Sequence, residues 1–364
     1  MRIFLCGDVM TGRGIDQILP HPCDSKLYEP YVGSALEYVR LAESRSGEIR
    51  RPVSFDYIWG DTLAVLRARA PDLRIINLET SITGDGVPEP KGINYRMNPR
   101  NVPCLTAFGA DCCVLANNHA ADWGAQSLID TLDALSVAGI AIAGGGRDAD
   151  RAASPATLAA KTGQRVHLFA VACPSSGTPA HWAATTDRPG INFLPDTSEA
   201  SFDRIAGDIA ARSAPDDLVM LSVHWGGNWG YQIADAHRAF AHALIDRAGV
   251  DIVFGHSSHH PKAVEVHKGR SIFYGCGDFL NDYEGIGGHE DYRPDLVLGY
   301  LLDIDARRKT LVRLEMLPFR LRKFRLQRAS AEETSWLGDR MDRECRKFGS
   351  GVRRSGEGKL ELVL

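Results

Sequence analysis

The chain has 364 residues, 44% hydrophobic and 24% charged, the profile of an ordinary globular protein with enough apolar material for one large domain. A formal net charge of −4 and a pI near 6.3 give no global attraction to nucleic acid or to an anionic membrane surface, so neither is an expected partner. Strand-like sequence starts at Met1 with no secretory leader, and no apolar stretch is long enough to cross a bilayer, which makes the cytoplasm the expected location.

Short apolar runs rich in β-branched residues predict buried strands over 3–6, 73–76, 112–115, 166–171, 218–223, 252–254 and 271–274. Helical patterns over 125–138, 202–212 and 235–248 alternate with them, so the expected class is α/β and layered. The segment 21–56 is long for a connection and carries Pro22, Pro30, Pro52, Tyr28, Tyr31 and Tyr38; it is a candidate substrate lid, with a short helix over 33–43. A second irregular stretch, 173–195, holds His181 and Trp182 and is a candidate pocket wall. Gly144, Gly145 and Gly146 lack the spacing of a dinucleotide fingerprint, so no nucleotide or redox cofactor is expected. Between Arg307 and Arg328 lie seven arginines and two lysines alternating with apolar residues, a pattern that predicts exposed charges on edge strands. Ser330 followed by Glu333 has capping-box spacing and starts a final helix toward Arg346. The eight cysteines contain no CxxC pair and several sit in apolar runs, as buried thiols do; none is read as a ligand, although Cys276 lies near the site.

Wherever a predicted strand gives way to a loop, residues with oxygen or nitrogen donors follow. They are Asp8, Glu79, Asn117 with Asn118 and His119, His224, then His256 with His259 and His260, and Asp278. In an α/β sheet such strand ends share one edge, where sites form. Carboxylate and amide oxygens from Asp8, Glu79 and Asn118 with imidazoles from His224, His256 and His259 suit one divalent ion, whether Ca, Mn, Fe or Zn.

These motifs in this order resemble the bacterial capsule-synthesis CapA family, also called poly-γ-glutamate synthesis proteins. The pattern is carried by Gly7–Met10 (GDVM), Asn77–Glu79 (NLE), Leu115–Ala120 with Asp122 and Gly124, His224–Gly226 (HWG), His256 with His259, and the stretch 264–274. The resemblance covers residues 2–317 and implies a calcineurin-like four-layer α-β-β-α sandwich, two packed mixed sheets flanked by helices. Residues 318–364 are then a basic strand and helix extending the same domain. It also implies that Asp8, Glu79, Asn118, His224, His256 and His259 surround a metal pocket.

Two departures bear on the chemistry. Calcineurin-like phosphoesterases typically carry a histidine two residues after the first aspartate; Met10 stands there, and a thioether is a poor ligand for a hard ion, so one ion is expected rather than two. The family's Gly-Asn-Phe is Gly277-Asp278-Phe279, which places an extra carboxylate beside the histidines. His119 with Asp122, and one of His256, His259 or His260 with Asp278, become candidate acid–base pairs. Arg13 is expected to reach an anionic substrate group, and Trp225 and Trp229 to wall a subsite. The remaining histidines, His21, His167, His237, His242, His267 and His289, are expected to be structural or exposed.

The expected function is that of a metal-dependent enzyme acting on a peptide or polyglutamyl substrate, with His/Asp acid–base epimerisation at a peptide α-carbon favoured. Metal-assisted hydrolysis of a phosphoester or γ-glutamyl amide is the enzymatic alternative. A capsule-synthesis component or non-enzymatic polymer-binding scaffold is the other.

Overall fold

A computed structural model describes residues 1–161, 163–356 and 358–363. It is a mixed α/β protein built on two large sheets. The first has ten strands and centres on Arg2–Val9, which pairs in parallel with Leu73–Leu78 and Asp278–Leu280 and antiparallel with Leu296–Asp305. The second has six strands, with a parallel core of Arg165–Ala172, Leu218–His224, Ile252–His256 and Arg270–Phe273.

Period-2 alternation divides the second sheet cleanly. Val166, Leu168, Met220, Ile252, Phe254 and Phe273 join one core cluster with the strands of the first sheet, so the two sheets pack face to face. The alternate residues Val219, Leu221, Val223 and Val253 pack instead with Phe202, Ile205, Phe240 and Leu244 of the helices Glu199–Arg212 and Asp235–Ala248. Continuing the inward alternation of Leu218 and Met220 brings Ser222 and His224 onto the face between the sheets; continuing that of Ile252 and Phe254 brings His256 there.

Local expectations hold at most elements. The helices Ala125–Val137 and Asp235–Ala248 lie where the periodicity puts them. The final helix Ala331–Arg346 carries both halves of its capping box, Ser330 accepting from the Glu333 backbone and Glu333 from that of Ser330. Inside the segment 21–56 the helix runs Leu36–Ser46, a little later than its pattern suggests. The basic segment is different: Thr310–Arg322 is an interior strand, flanked by Leu296–Asp305 on one side and by Lys359–Val363 and Arg325–Arg328 on the other. Its charges are met by acids contributed from later sequence, Arg313 by Glu361 at 2.7 Å and Arg320 by Glu333 at 2.8 Å, which alternation within one strand cannot reveal. The cysteines are free, and seven of the eight are buried. No helix among the described residues is long and apolar enough to cross a membrane.

Candidate metal and acid–base centre

Strand register assembles the centre. His224 and His256 are direct partners on neighbouring parallel strands, and Asp8 lies between Asn77 on one side and Asp278 on the other. The close approach of Arg2–Val9 to the turn before Asp278 depends on glycine: a Cβ on Gly7 would stand 1.8 Å from the Gly277 carbonyl oxygen, which accepts from the Asp8 amide at 3.1 Å. Gly277 has a φ of 78°, open to glycine at little cost. The glycines of Gly-Asp-Val-Met and Gly-Asp-Phe therefore serve one junction.

Asp8, His224 and His256 bring donor atoms within 4.8 Å of one another, and Asp8, His259 and Asp278 do the same. Asp8 belongs to both groups. The facing Nδ1 atoms of His224 and His256 are 2.6 Å apart, while His224 Nε2 lies 3.1 Å from Asn118 Oδ1 and 3.5 Å from Glu79 Oε1. Ser222 Oγ holds His256 Nε2 at 2.5 Å, fixing the ring with its other nitrogen toward the centre. Ser257 adopts a φ of 106°, a strained position for a side-chain-bearing residue. It is held there by its amide, which donates to Asp8 Oδ2 at 3.3 Å, and by its hydroxyl, which donates to the Gly226 carbonyl at 3.1 Å.

Electrostatically the centre is over-supplied with acid. Asp8, Glu79 and Asp278 are all buried. Two like charges about 4 Å apart repel by roughly 4 kcal/mol at an effective dielectric near 20. Burial first, and then Asp278, push Asp8 up from 3.8 to about 7; burial and then Asp8 push Glu79 well above its usual range. Glu79 Oε2 is buried with no hydrogen-bond partner among the described residues. His224 and His256 are driven down, His256 to about 3, chiefly by burial, so both are neutral and present lone pairs. Crowded buried carboxyls whose ionised form lacks a counter-charge, an orphaned oxygen and neutral imidazoles form a donor set that fits a divalent cation.

Two imidazole–carboxylate pairs flank these residues. His119 Nδ1 lies 2.6 Å from Asp122 Oδ2, and its Nε2 is 4.0 Å from Glu79 Oε1. His259 Nδ1 lies 2.9 Å from Asp278 Oδ1, and Asn281 Nδ2 donates to the other Asp278 oxygen at 2.8 Å. Of the three histidines after Phe254, His259 is the one that meets Asp278. His260 turns away, its Nδ1 at 3.2 Å from the Pro261 carbonyl and its ring against Tyr231 and Tyr292.

The three residues assigned to substrate sit differently from one another. Arg13 is buried in ion pairs with Glu29 at 2.9 Å and with Asp282, and its guanidinium lies over Tyr38 and Tyr95, which leaves it no free face for a substrate anion. Trp225 is buried, stacked on His237 at 4.5 Å and donating from Nε1 to the Tyr274 carbonyl. Trp229 is partly exposed, with its ring 5.4 Å from that of His259.

Sequence reading passed over Lys91, whose Nζ pairs with Asp122 Oδ1 at 2.7 Å, lies 3.2 Å from His119 Nδ1 and donates to the Asn118 carbonyl. It sits in an irregular stretch with no periodicity, where a lone lysine between Pro90 and Gly92 gives no local signal. Asn77, which donates to Asp8 Oδ1 at 2.7 Å, was visible only as part of Asn-Leu-Glu.

Fold and site together define a class: a two-sheet α/β protein whose parallel strand ends converge on a buried carboxylate–imidazole centre. Residues 2–283 match the family model described as bacterial capsule synthesis protein PGA_cap, and the chain belongs to that family. It is 48% identical over 363 residues to a probable polyglutamine synthesis accessory protein of Mycobacterium tuberculosis, covering 99% of this chain and 95% of that one. The PGA biosynthesis protein CapA of Bacillus subtilis is 30% identical over 192 residues, 53% of this chain and 48% of the relative. A solved chain described as GAP50, the anchor in the inner membrane complex of Plasmodium, covers 92% of this chain and 90% of its own at 8% identity, with a TM-score of 0.32, too distant to bear on the fold.

Proposed function

We propose that this protein is a metal-dependent enzyme of polyglutamyl or peptide chemistry that epimerises an α-carbon by acid–base catalysis. The observation that carries this is the presence of two separate imidazole–carboxylate pairs beside one centre: His119 with Asp122 in the loop after Cys112–Val114 of the first sheet, and His259, in the loop after Ile252–His256 of the second sheet, with Asp278 of the first. Epimerisation needs a base on one face of the α-carbon and an acid on the other, and needs no redox cofactor. The substrate class is drawn from the relatives' names, polyglutamine synthesis for the mycobacterial protein and PGA biosynthesis for that of Bacillus subtilis, together with the poly-γ-glutamate family the motifs resemble.

Asp8, Glu79, Asn118, His224 and His256 would hold the cation, leaving His259 to its partner Asp278. When bound, a divalent cation supplies positive charge that stabilises a carbonyl oxygen as it gains negative charge. The chain's own residues do the rest. Asp122, held by Lys91 and by the Tyr95 amide at 2.6 Å, fixes the His119 ring through Nδ1 and leaves Nε2 to take or return a proton. Asp278, held by Asn281, does the same for His259. Burial lowers His119 to about 4, against the pull of Asp122, which favours a neutral base, whereas for His259 burial acts downward and is outweighed by Asp278 and Asp8, which raise it and favour the acid form. One pair thus stands ready to accept a proton and the other to donate one.

Hydrolysis of a γ-glutamyl amide is the second reading. It is favoured by the place of Asp8 in both donor groups, which divides the centre into two halves able to take two cations. Incubating metal-loaded protein with oligo-γ-glutamate in heavy water separates the two. Epimerisation predicts deuterium at the α-carbon with chain length unchanged, and loss of the label in His119→Asn and Asp278→Asn. Shortened chains without label would overturn it in favour of hydrolysis.

A further inference from the structure

Cations inside this protein are matched by acids, Arg13 by Glu29 and Asp282 and Lys91 by Asp122. Lys262 breaks the pattern. It is 8% exposed, yet among the described residues no carboxylate lies within ion-pair distance of its Nζ; burial alone acts on its amine, lowering its pKa, with no acid to raise it. The base beside it is His237, which burial and then the Lys262 charge hold below its usual range. A Cβ on Gly226 would meet Lys262 Nζ at 3.9 Å and His237 Cε1 at 3.6 Å, which places the amine against the turn that follows His224 and Trp225.

A second cation with no acid partner among the described residues shares a contact with His260, whose ring lies 4.4 Å from that of Tyr231. Arg340 of the final helix lies 4.5 Å from the Tyr231 ring centroid and 5.5 Å from that of Trp336. The nearby helix acids are engaged elsewhere, Asp339 with Arg354 at 3.9 Å and Glu344 with Lys347. Among the described residues His260 Nε2 is buried with no hydrogen-bond partner. Since Nδ1 faces the Pro261 carbonyl and so carries the proton, Nε2 is a free acceptor, suited to an amide N–H. Trp229 contacts both His259 and His260, joining this region to the centre.

We propose that Lys262 and Arg340 form a subsite that holds carboxylates of an acidic glutamyl chain lying across Trp229 and Tyr231, with His260 accepting from a backbone amide of that chain. The proposal rests on the polyglutamyl substrate class above and adds the residues that recognise its charge. Two buried or aromatic-supported cations without acids are costly unless a ligand supplies the counter-charge, and successive carboxylates of one chain supply it.

Calorimetric titration of the full-length, metal-loaded protein with a short oligo-γ-glutamate, against the uncharged oligo-γ-glutamine of equal length, tests it. The acidic oligomer should bind preferentially; Lys262→Gln and Arg340→Gln should each weaken it about tenfold, with a shallower dependence on salt, and Lys262→Arg should retain most of the affinity. Arg340 is half-buried against Tyr231 and Trp336 rather than in the core, so its variant reads the subsite even where substitution at Lys262 prevents folding. Equal binding of both oligomers, or wild-type affinity in both glutamine variants, overturns the subsite. Metal content and α-carbon labelling are read on the same samples. Normal labelling without charge preference counts against the subsite alone, whereas charge preference without labelling counts against the epimerase reading alone.

Discussion

Two buried charge clusters lie close together here and are built on opposite principles. Around Arg13, one guanidinium meets Glu29, Asp282 and the Tyr38 hydroxyl, and the Gly14 amide also donates to Asp282 at 2.9 Å. Every charge is answered, and the cluster ties the first loop to the 21–56 segment and to the loop after Asp278. Around Asp8, three carboxylates face one another with a single raised histidine among them, and one carboxylate oxygen of Glu79 has no partner. Completed charge of the first kind holds structure, and incomplete charge of the second kind is where a ligand belongs. Arg13 and Asp8 are five residues apart, so nearness in sequence says nothing about which role a charged residue takes.

Substitutions that remove one member from each cluster break the comparison if it is wrong. Asp8→Asn should give the largest effect, a loss of activity on the order of a thousandfold together with loss of bound divalent metal in elemental analysis. Arg13→Met should instead leave two buried acids unpaired and destabilise the protein by about 3–5 kcal/mol in denaturant titration. Asp16 sharpens the boundary, since burial raises its carboxyl from 3.8 to about 6 even though it accepts from the Cys23 and Asn98 amides. A carboxyl raised in the native state contributes stability that is complete below its unfolded value and is lost as pH rises through its native one. Relative to Asp16→Asn, wild type should therefore lose up to about 3 kcal/mol between pH 4 and pH 7 in pH-dependent denaturation. The smallest effect is expected for Glu79→Gln without metal: because this carboxyl already favours its protonated form, stability should stay within about 0.5 kcal/mol of wild type, although metal affinity falls.

Much of this was legible in the sequence because parallel strands end in their functional residues. The runs before Asp8, Glu79, His224 and His256 are apolar and β-branched, and their ends had to share one edge. What stayed hidden depends on contacts between distant segments. The Arg13 network needs Glu29 and Asp282, the second 269 residues away. Lys91 reaches Asp122 from an irregular stretch. Pairing with Lys359–Val363 and Arg325–Arg328 turns an apparent edge into an interior strand, and Glu333 and Glu361 from the C-terminal part of the chain meet two of its arginines. The choice among His256, His259 and His260 was open on spacing alone; His259 takes Asp278 because its loop, anchored by its amide to the Asn228 carbonyl at 3.0 Å, turns back over the strand that carries the carboxylate.

The central claim is that the acids and imidazoles at the strand ends are an unfinished charge cluster completed by a cation. Anomalous diffraction from crystals of manganese-loaded protein tests it directly. The account predicts a peak coordinated by Asp8, His224 and His256 that disappears in Asp8→Asn. No peak at saturating manganese, with the three carboxylates still in mutual contact, would contradict it.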